Sequence, residues 1–270
     1  MDTNMLEIFQ YDFMIRAFAA GIAIAVIAPL IGTFLVVRRY SLMADTLAHV
    51  ALLGVVLGFI LKIYPLFSAV LTSILAGLGM EKLRANARLS GDSVLAMFLS
   101  GSLAIAVVLI SVTHGFNVNL FSFLFGSIST VTAQDLYFIG AIAISSVVVV
   151  GGFYKELFLV SLDDELARAN GIKADLFNFL LVVLAALSVS LAIKIVGALL
   201  IGALMVIPVI AAIQFKRGFG QTIMLAIIFS LASVVSGLFI SYYLGWASGG
   251  TIVIIALIVF LVSSVMAKFK

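Results

Sequence analysis

The sequence predicts an all-α, polytopic membrane protein. Of its 270 residues, 64% are hydrophobic and only 10% are charged, and the mean hydropathy is +1.34. Soluble globular domains typically carry about 25% charged residues, so that class is excluded. The connecting segments are too short to hold a second unit, and residues 1–270 are interpreted as one transmembrane permease domain.

Nine hydrophobic runs are long enough to cross about 30 Å of hydrocarbon at about 1.5 Å per helical residue. The third run is short, and the sixth and seventh nearly touch. Eight spans, with 43–80 or 175–214 divided differently, are the alternative. The nine predicted spans are 13–37, 43–62, 64–80, 91–113, 132–153, 175–193, 195–214, 221–243 and 250–267.

The basic residues favour one orientation of these spans. With the N-terminus outside, 12 Lys and Arg residues fall in inner segments and three fall in outer segments or span ends. The positive-inside rule therefore predicts an outer N-terminus and a cytoplasmic C-terminus. The same rule accounts for the net charge of +3, so the excess is not taken to indicate nucleic-acid binding. Of the three outer basic residues, Lys62 and Lys194 are expected to snorkel to the outer interface.

Asp45 and His49 are interpreted as the only acid and the only imidazole inside a hydrophobic span. Four residues apart on a helix, their side chains share one face with Cβ atoms about 6 Å apart. Ionisable groups within a bilayer are costly and usually face a bundle interior or a water-filled path. A carboxylate with a neutral imidazole suits Zn²⁺ or Mn²⁺, so the pair is predicted to hold one such ion.

The longest hydrophilic stretch, Tyr154 to Asp175, is predicted to contain a short amphipathic helix. Ser161 is the expected N-cap, acids occupy the first turn, and Gly171 is the expected stop. The helix is either an ordinary capped loop helix or a docking helix for a soluble cytoplasmic partner.

On the opposite side, two amides precede an aromatic-rich stretch that is too short to cross a bilayer, which favours a half-helix or a re-entrant segment. Its candidate outer-gate residues are Asn117, Asn119, Phe121, Phe125 and Gly126. An interfacial aromatic anchor is the alternative.

Several motifs, in this order along the chain, resemble a known family. The run from Arg38 to Val55 resembles the signature of the permease subunits of zinc and manganese ABC importers. Three further segments resemble other parts of such permeases: Leu124 to Gly126, Glu165 to Gly171, and Gly197 to Leu200 leading to Pro208. The resemblance covers essentially the whole chain, and its first motif is the most specific.

The resemblance implies a vitamin-B12/metal-type ABC importer permease that works as a homodimer in a bacterial plasma membrane. Two copies of a cytoplasmic ATPase lie on one side, and an extracytoplasmic metal-binding protein lies on the other. Zn²⁺, or next Mn²⁺, is then the transported substrate, with no permanently bound cofactor.

The resemblance also assigns roles to residues. Asp45 and His49 match the metal-contacting pair of the pathway-lining helix. Two protomers would supply two Asp and two His, a count that suits tetrahedral zinc. The coupling helix that rests on the ATPase matches the segment with Asp164, Glu165, Ala167, Ala169 and Gly171.

Absent motifs narrow the mechanism further. No Gly-x-x-x-x-Gly-Lys-Ser/Thr sequence occurs, so the chain is predicted to be a transport subunit and not an enzyme. Zero cysteines exclude thiolate ligands and disulfides. An ion-coupled secondary metal transporter is the main alternative, but it predicts two repeated halves with discontinuous helices, and no convincing repeat is present. An intramembrane zinc protease would need His-Glu-x-x-His, which is absent.

Overall fold

The computed structural model describes residues 7–85, 90–112 and 120–268. These ranges are almost entirely helical and contain no β-strand, which confirms the predicted all-α class. The helices are α1 Asp12–Val37, α2 Ser41–Leu61, α3 Pro65–Ala85, α4 Gly91–Val112, α5 Leu120–Phe125, α6 Ala133–Gly152, α7 Tyr154–Leu162, α8 Asp164–Ala169, α9 Ala174–Ala192, α10 Ile201–Ile213, α11 Phe219–Leu244 and α12 Ser248–Lys268.

Within the described residues, eight helices are long and apolar enough to cross a membrane: α1, α2, α3, α4, α6, α9, α11 and α12. They coincide with eight of the nine predicted spans to within a few residues at most ends. The chain is therefore a multi-pass membrane protein.

The seventh predicted span, 195–214, is corrected by the structure. Its helix, α10, has only 13 residues and is about 20 Å long at 1.5 Å per residue, which is too short to cross alone. Residues 193–200 form a turn in which Gly197 has a φ of +90°. The turn residues Ile193 and Val196 are fully buried, so the bundle shields this non-helical backbone.

The packing order places α2 and α10 side by side. In the bundle, α2 packs against α3, α4, α9 and α10, while α1 packs against α6, α9, α10 and α11. The most exposed of the long helices are α4, α6 and α12, whose apolar outer surfaces suit contact with lipid. The centre of the chain is therefore built from α1, α2, α9 and α10.

The connecting segments gather at two opposite ends of the bundle. At one, the α8 end, Arg38 in the α1–α2 turn forms an ion pair with Asp164 of α8. At the other, the α5 end, the backbone N–H of Ser127 donates to the carbonyl of Lys194 in the 193–200 turn at 3.0 Å. The charge asymmetry of the sequence predicts that the α8 end is cytoplasmic, and this orientation stays a prediction.

Candidate metal-translocation site

Asp45 and His49 lie on one face of α2, as their spacing predicts. Both side chains are partly exposed, whereas the flanking residues Ala44, Thr46 and Ala48 are fully buried. The Nδ1 atom of His49 is buried and has no hydrogen-bond partner among the described residues. An imidazole nitrogen that is not engaged elsewhere is free to bind a metal ion.

Gly202, at the start of α10, packs directly against the Asp45 carboxylate. A Cβ atom added at Gly202 would lie 2.6 Å from Asp45 Cγ and closer still to Oδ1. Only glycine lets α10 approach this closely. The first turn of a helix has unpaired N–H groups and a partial positive charge, which favour a nearby carboxylate. The position of Asp45 is therefore set by α10 as well as by its own helix.

The non-helical turn before α10 is attached to α5 by backbone hydrogen bonds. Ala198 N–H donates to Phe123 O at 2.8 Å, and Leu199 N–H donates to Leu124 O at 3.2 Å. Gly126 and Gly197, both with positive φ, allow the two segments to touch: a Cβ on Gly197 would lie 2.6 Å from the Phe125 carbonyl carbon. Consequently α5 is connected through this turn to Gly202 and Asp45.

The structure describes only some of the predicted outer-gate residues. Residues 120–125 form a six-residue helix, α5, as expected for a segment too short to cross. Phe125 is exposed and Gly126 is buried. Asn117 and Asn119 lie outside the described residues, as does the side chain of Phe121. A role of this segment as a gate stays a prediction.

A second acid within a predicted span, the buried Asp135, corrects the interpretation of Asp45 as the only one. Asp135 lies in the first turn of α6 with 0% exposure, and forms a capping box with Thr132. It is paired with Lys194 Nζ at 2.6 Å and accepts a hydrogen bond from the Tyr64 hydroxyl. The expectation that Lys194 snorkels is therefore wrong, since its side chain is only 12% exposed and pairs inside the protein.

This ion pair fixes the α5 end of the bundle. Burial, and then the hydrogen bond to Asp135, raise the pKa of Tyr64, so that its hydroxyl stays protonated and donates. Tyr64 precedes α3, Asp135 begins α6, and Lys194 lies in the turn before α10. The capping box Thr132-x-x-Asp135 was visible in the sequence, but the partners of Asp135 are distant in the chain and were missed.

The hydrophilic stretch at the α8 end contains two helices, α7 and α8, instead of one. Asp163 caps α8 by accepting from the N–H groups of Glu165 at 2.8 Å and Leu166 at 3.0 Å. The predicted cap, Ser161, lies instead in the last turn of α7, because the run Tyr154–Leu162 is itself helical. Gly171, with a φ of +80°, follows the end of α8 as predicted.

The predicted coupling residues do not all face the same way. Glu165 and Ala169 are exposed on α8, and Gly171 is exposed just beyond it. Ala167 is fully buried and anchors the helix to α7 and α9. Asp164 turns inward and pairs with Arg38. The outer face of α8 is therefore available to a partner, while Asp164 is engaged within the chain.

Within the part of the chain that the structure describes, the predicted metal site has two candidate ligands, Asp45 and His49. Across the residues that the structure describes, no group of three or more His, Cys, Asp or Glu side chains is close enough to hold a metal. The assignment of Asp45 and His49 as metal ligands therefore stays a prediction, and by itself the pair would supply too few ligands to hold an ion permanently.

A bundle of membrane-spanning helices with an ionisable pair on a partly exposed face of α2, and a short exposed helix at one end, fits the class of membrane permeases. The chain belongs to the ABC 3 transport family, which matches residues 10–267.

Two curated relatives match nearly the full length of the chain. It is 32% identical to the high-affinity zinc uptake system membrane protein ZnuB of Haemophilus influenzae, over 94% of this chain and 97% of that protein. It is 33% identical to the manganese import system permease protein ScaB of Streptococcus gordonii, over 96% of this chain and 92% of that protein.

The fold also matches a solved structure, PsaBC from Streptococcus pneumoniae in complex with Fab. The TM-score is 0.87 at 30% sequence identity, and the match covers 97% of this chain and 95% of that one.

Proposed function

We propose that this chain is the permease subunit of an ABC importer for divalent transition metal ions, with Zn²⁺ as the favoured cargo and Mn²⁺ next. The observation that carries the proposal is the Asp45–His49 pair, which lies on a partly exposed face of α2 against the first turn of α10. Membership of the ABC 3 transport family and the names of the two relatives support the same function.

The ligand chemistry favours this cargo. Carboxylate oxygen and imidazole nitrogen suit zinc and manganese, whereas a copper(I) path would favour thiolate or thioether ligands. A weak, incomplete site lets the ion enter and leave. The relatives are named for zinc and for manganese. The choice of zinc rests on the sequence of Asp45 to His49, which resembles zinc-import members of the family more than manganese-import members, and on the tetrahedral ligand count.

The second half of the site is proposed to come from a second copy of the chain. Leu53 follows Asp45 and His49 at the same spacing on α2 and is also partly exposed, and α10, which packs against α2, has Ile207 partly exposed and Ile210 exposed. An ionisable pair facing lipid would be costly. A two-fold dimer through this face would cover the pair and bring two Asp and two His together.

The energy is proposed to come from a separate cytoplasmic ATPase that docks on α8. At this end, outside the membrane-spanning helices, Leu162 and Leu166 are both exposed. Exposed apolar side chains of this kind mark protein interfaces. With the α8 end cytoplasmic, the α5 end faces outward, where an extracytoplasmic metal-binding protein would deliver the ion.

Metal uptake into proteoliposomes tests the proposal. The permease is reconstituted with its ATPase and binding protein, and uptake of radiolabelled zinc is measured with and without ATP and with excess unlabelled manganese. ATP-dependent zinc uptake that resists manganese supports a zinc importer. Suppression by manganese would shift the cargo to manganese. Uptake driven by an ion gradient without ATP would instead establish the secondary-carrier alternative.

A further inference from the structure

A polar network at the α8 end joins helices that are far apart in the sequence. Arg38, just after α1, donates to Asn178 Oδ1 of α9 and pairs with Asp164 Oδ2 of α8 at 3.3 Å. Asn178 Nδ2 also donates to Asp164 Oδ2 at 3.1 Å. The three side chains form a closed triangle that holds α8 to α1 and α9, and the Arg38 side chain is only 7% exposed.

The same network reaches the start of α2. Glu81 of α3 lies 3.8 Å from the Arg38 guanidinium and 3.0 Å from that of Arg84. Both guanidinium groups lie over the ring of Tyr40, at 4.7 Å and 4.4 Å from its centroid. Tyr40 caps α2, and its carbonyl accepts from Met43 N–H at 2.9 Å.

The distance from this network to the metal-binding pair is short. Asp45 lies five residues after Tyr40 on the same helix, which corresponds to about 7.5 Å of helical rise. A rotation or shift at the start of α2 is therefore transmitted to Asp45 through one continuous helix.

The network is balanced in charge, and one pairing within it is not made. It contains two guanidinium groups and two carboxylates, from Arg38, Arg84, Glu81 and Asp164. Asp164 Oδ1 and Arg84 Nε are buried without a hydrogen-bond partner among the described residues, and both residues line one cavity of about 380 Å³. Arg38 already lies within ion-pair distance of both carboxylates, so moving Asp164 from Arg38 to Arg84 while Arg38 keeps Glu81 would leave every charge matched. Such interchangeable pairings are typical of two-state elements.

We propose that this four-charge network transmits the movement of α8 to α2, and that Arg38 is the positioning residue at its centre. When the ATPase displaces α8, Asp164 moves relative to Arg38, the pairings change, and Tyr40 carries the change into the helix of Asp45 and His49. The inference rests on the proposed function, because it takes α8 as the site on which the ATPase docks.

A second ion pair on α8 provides a matched control. Arg168 of α8 pairs with Asp175 of α9 at 2.5 Å, but its side chains are 53% and 80% exposed. Both ion pairs hold the same short helix, but only the buried pair includes a residue, Arg38, that contacts Tyr40. Exposed ion pairs contribute little to stability. Asp175→Asn therefore tests whether any loosening of α8 is enough to lower the metal transported per ATP.

The test compares Arg38→Gln with Asp175→Asn in proteoliposomes that contain the ATPase. The readouts are the amount of bound ATPase, the ATP hydrolysis rate and the metal ions transported per ATP. For Arg38→Gln, we expect bound ATPase to be retained and metal per ATP to fall by about fivefold or more, as for other coupling interactions. Arg38→Lys keeps the charge but loses the planar guanidinium group. We expect it to transport more metal per ATP than Arg38→Gln and less than the wild type.

A double variant separates coupling from simple loss of stability. If Arg38 acts through Asp164, combining Arg38→Gln with Asp164→Asn lowers metal per ATP no further than Arg38→Gln alone. A ratio equal to that of the wild type or of Asp175→Asn would overturn the inference. Loss of bound ATPase in Arg38→Gln would also overturn it, in favour of a docking role. Failure of the proposed function is distinguishable, since the wild-type protein would then show no ATP-driven metal uptake.

Discussion

Gly202→Ala is expected to displace the Asp45 carboxylate while leaving the bundle folded. The added Cβ would lie 2.6 Å from Asp45 Cγ, whereas unstrained carbon contacts begin near about 3.5 Å. Cγ must therefore move by about 1 Å, and Oδ1, which would lie closer still, must move further. Because the obstacle is the end of a side chain and not backbone, α2 and α10 need not separate.

The expected loss of metal uptake follows from how little metal–ligand distances can vary. Metal–ligand distances hold within about 0.2 Å, so a shift of about 1 Å removes Asp45 as a ligand in its present geometry. Disturbing the residues that orient a ligand typically costs about 10–100-fold in metal affinity or activity. We expect metal uptake to fall by about the same factor. The stability cost is expected to stay at or below about 1–3 kcal/mol, the usual range for overpacking.

The assay measures the initial rate of ATP-driven metal uptake together with the midpoint of thermal unfolding. Gly140→Ala is the matched control, since Gly140 also lies in a membrane-spanning helix and an added Cβ there meets nothing within 4 Å. If Gly202→Ala transports metal as fast as Gly140→Ala, the close approach of α10 does not position Asp45 for transport, and this reasoning fails.

Two further predictions concern the α5 end. Gly249→Ala places a Cβ 2.5 Å from the Phe125 carbonyl oxygen. Because this obstacle is backbone and cannot rotate away as a side chain can, we expect lower expression and a lower midpoint of thermal unfolding. A midpoint equal to that of the wild type would contradict the packing of α12 on α5. Lys194→Met leaves Asp135 as an uncompensated buried charge and is expected to cost about 3–5 kcal/mol of stability. Lys62→Met is its control, since Lys62 is exposed; equal unfolding midpoints would refute a structural role for the ion pair.

Much of the fold follows from local sequence. Long apolar runs predict α1 and α2 because a helix that crosses a bilayer needs about 20 apolar residues, whatever its neighbours are. The sequence predicts a break at 194, but its extension to Leu200 has no such signal. Ala198 and Leu199 are as apolar as helical residues, and they leave the helix because their N–H groups bond to α5, about 75 residues earlier in the chain.

The candidate site, like the fold, could be predicted from local sequence only in part. Asp45 and His49 were predictable because their relation is contained within one helical turn. Their neighbour Gly202 is 157 positions beyond Asp45, and its contact depends on how two helices pack. The inward turn of Asp164 likewise depends on Arg38, which lies 126 residues away. Sequence patterns identify which residues share a face, but partners across the bundle become visible only in three dimensions.

The central claim is that the transported ion passes between Asp45 and His49. The most direct measurement is the initial rate of ATP-driven metal uptake for Asp45→Asn and His49→Gln, which preserve side-chain size, in proteoliposomes matched for bound ATPase. Each variant is expected to lose at least about tenfold in uptake, with ATPase binding unchanged. Uptake within about twofold of wild type in both variants would show that the pair does not hold the ion during transport.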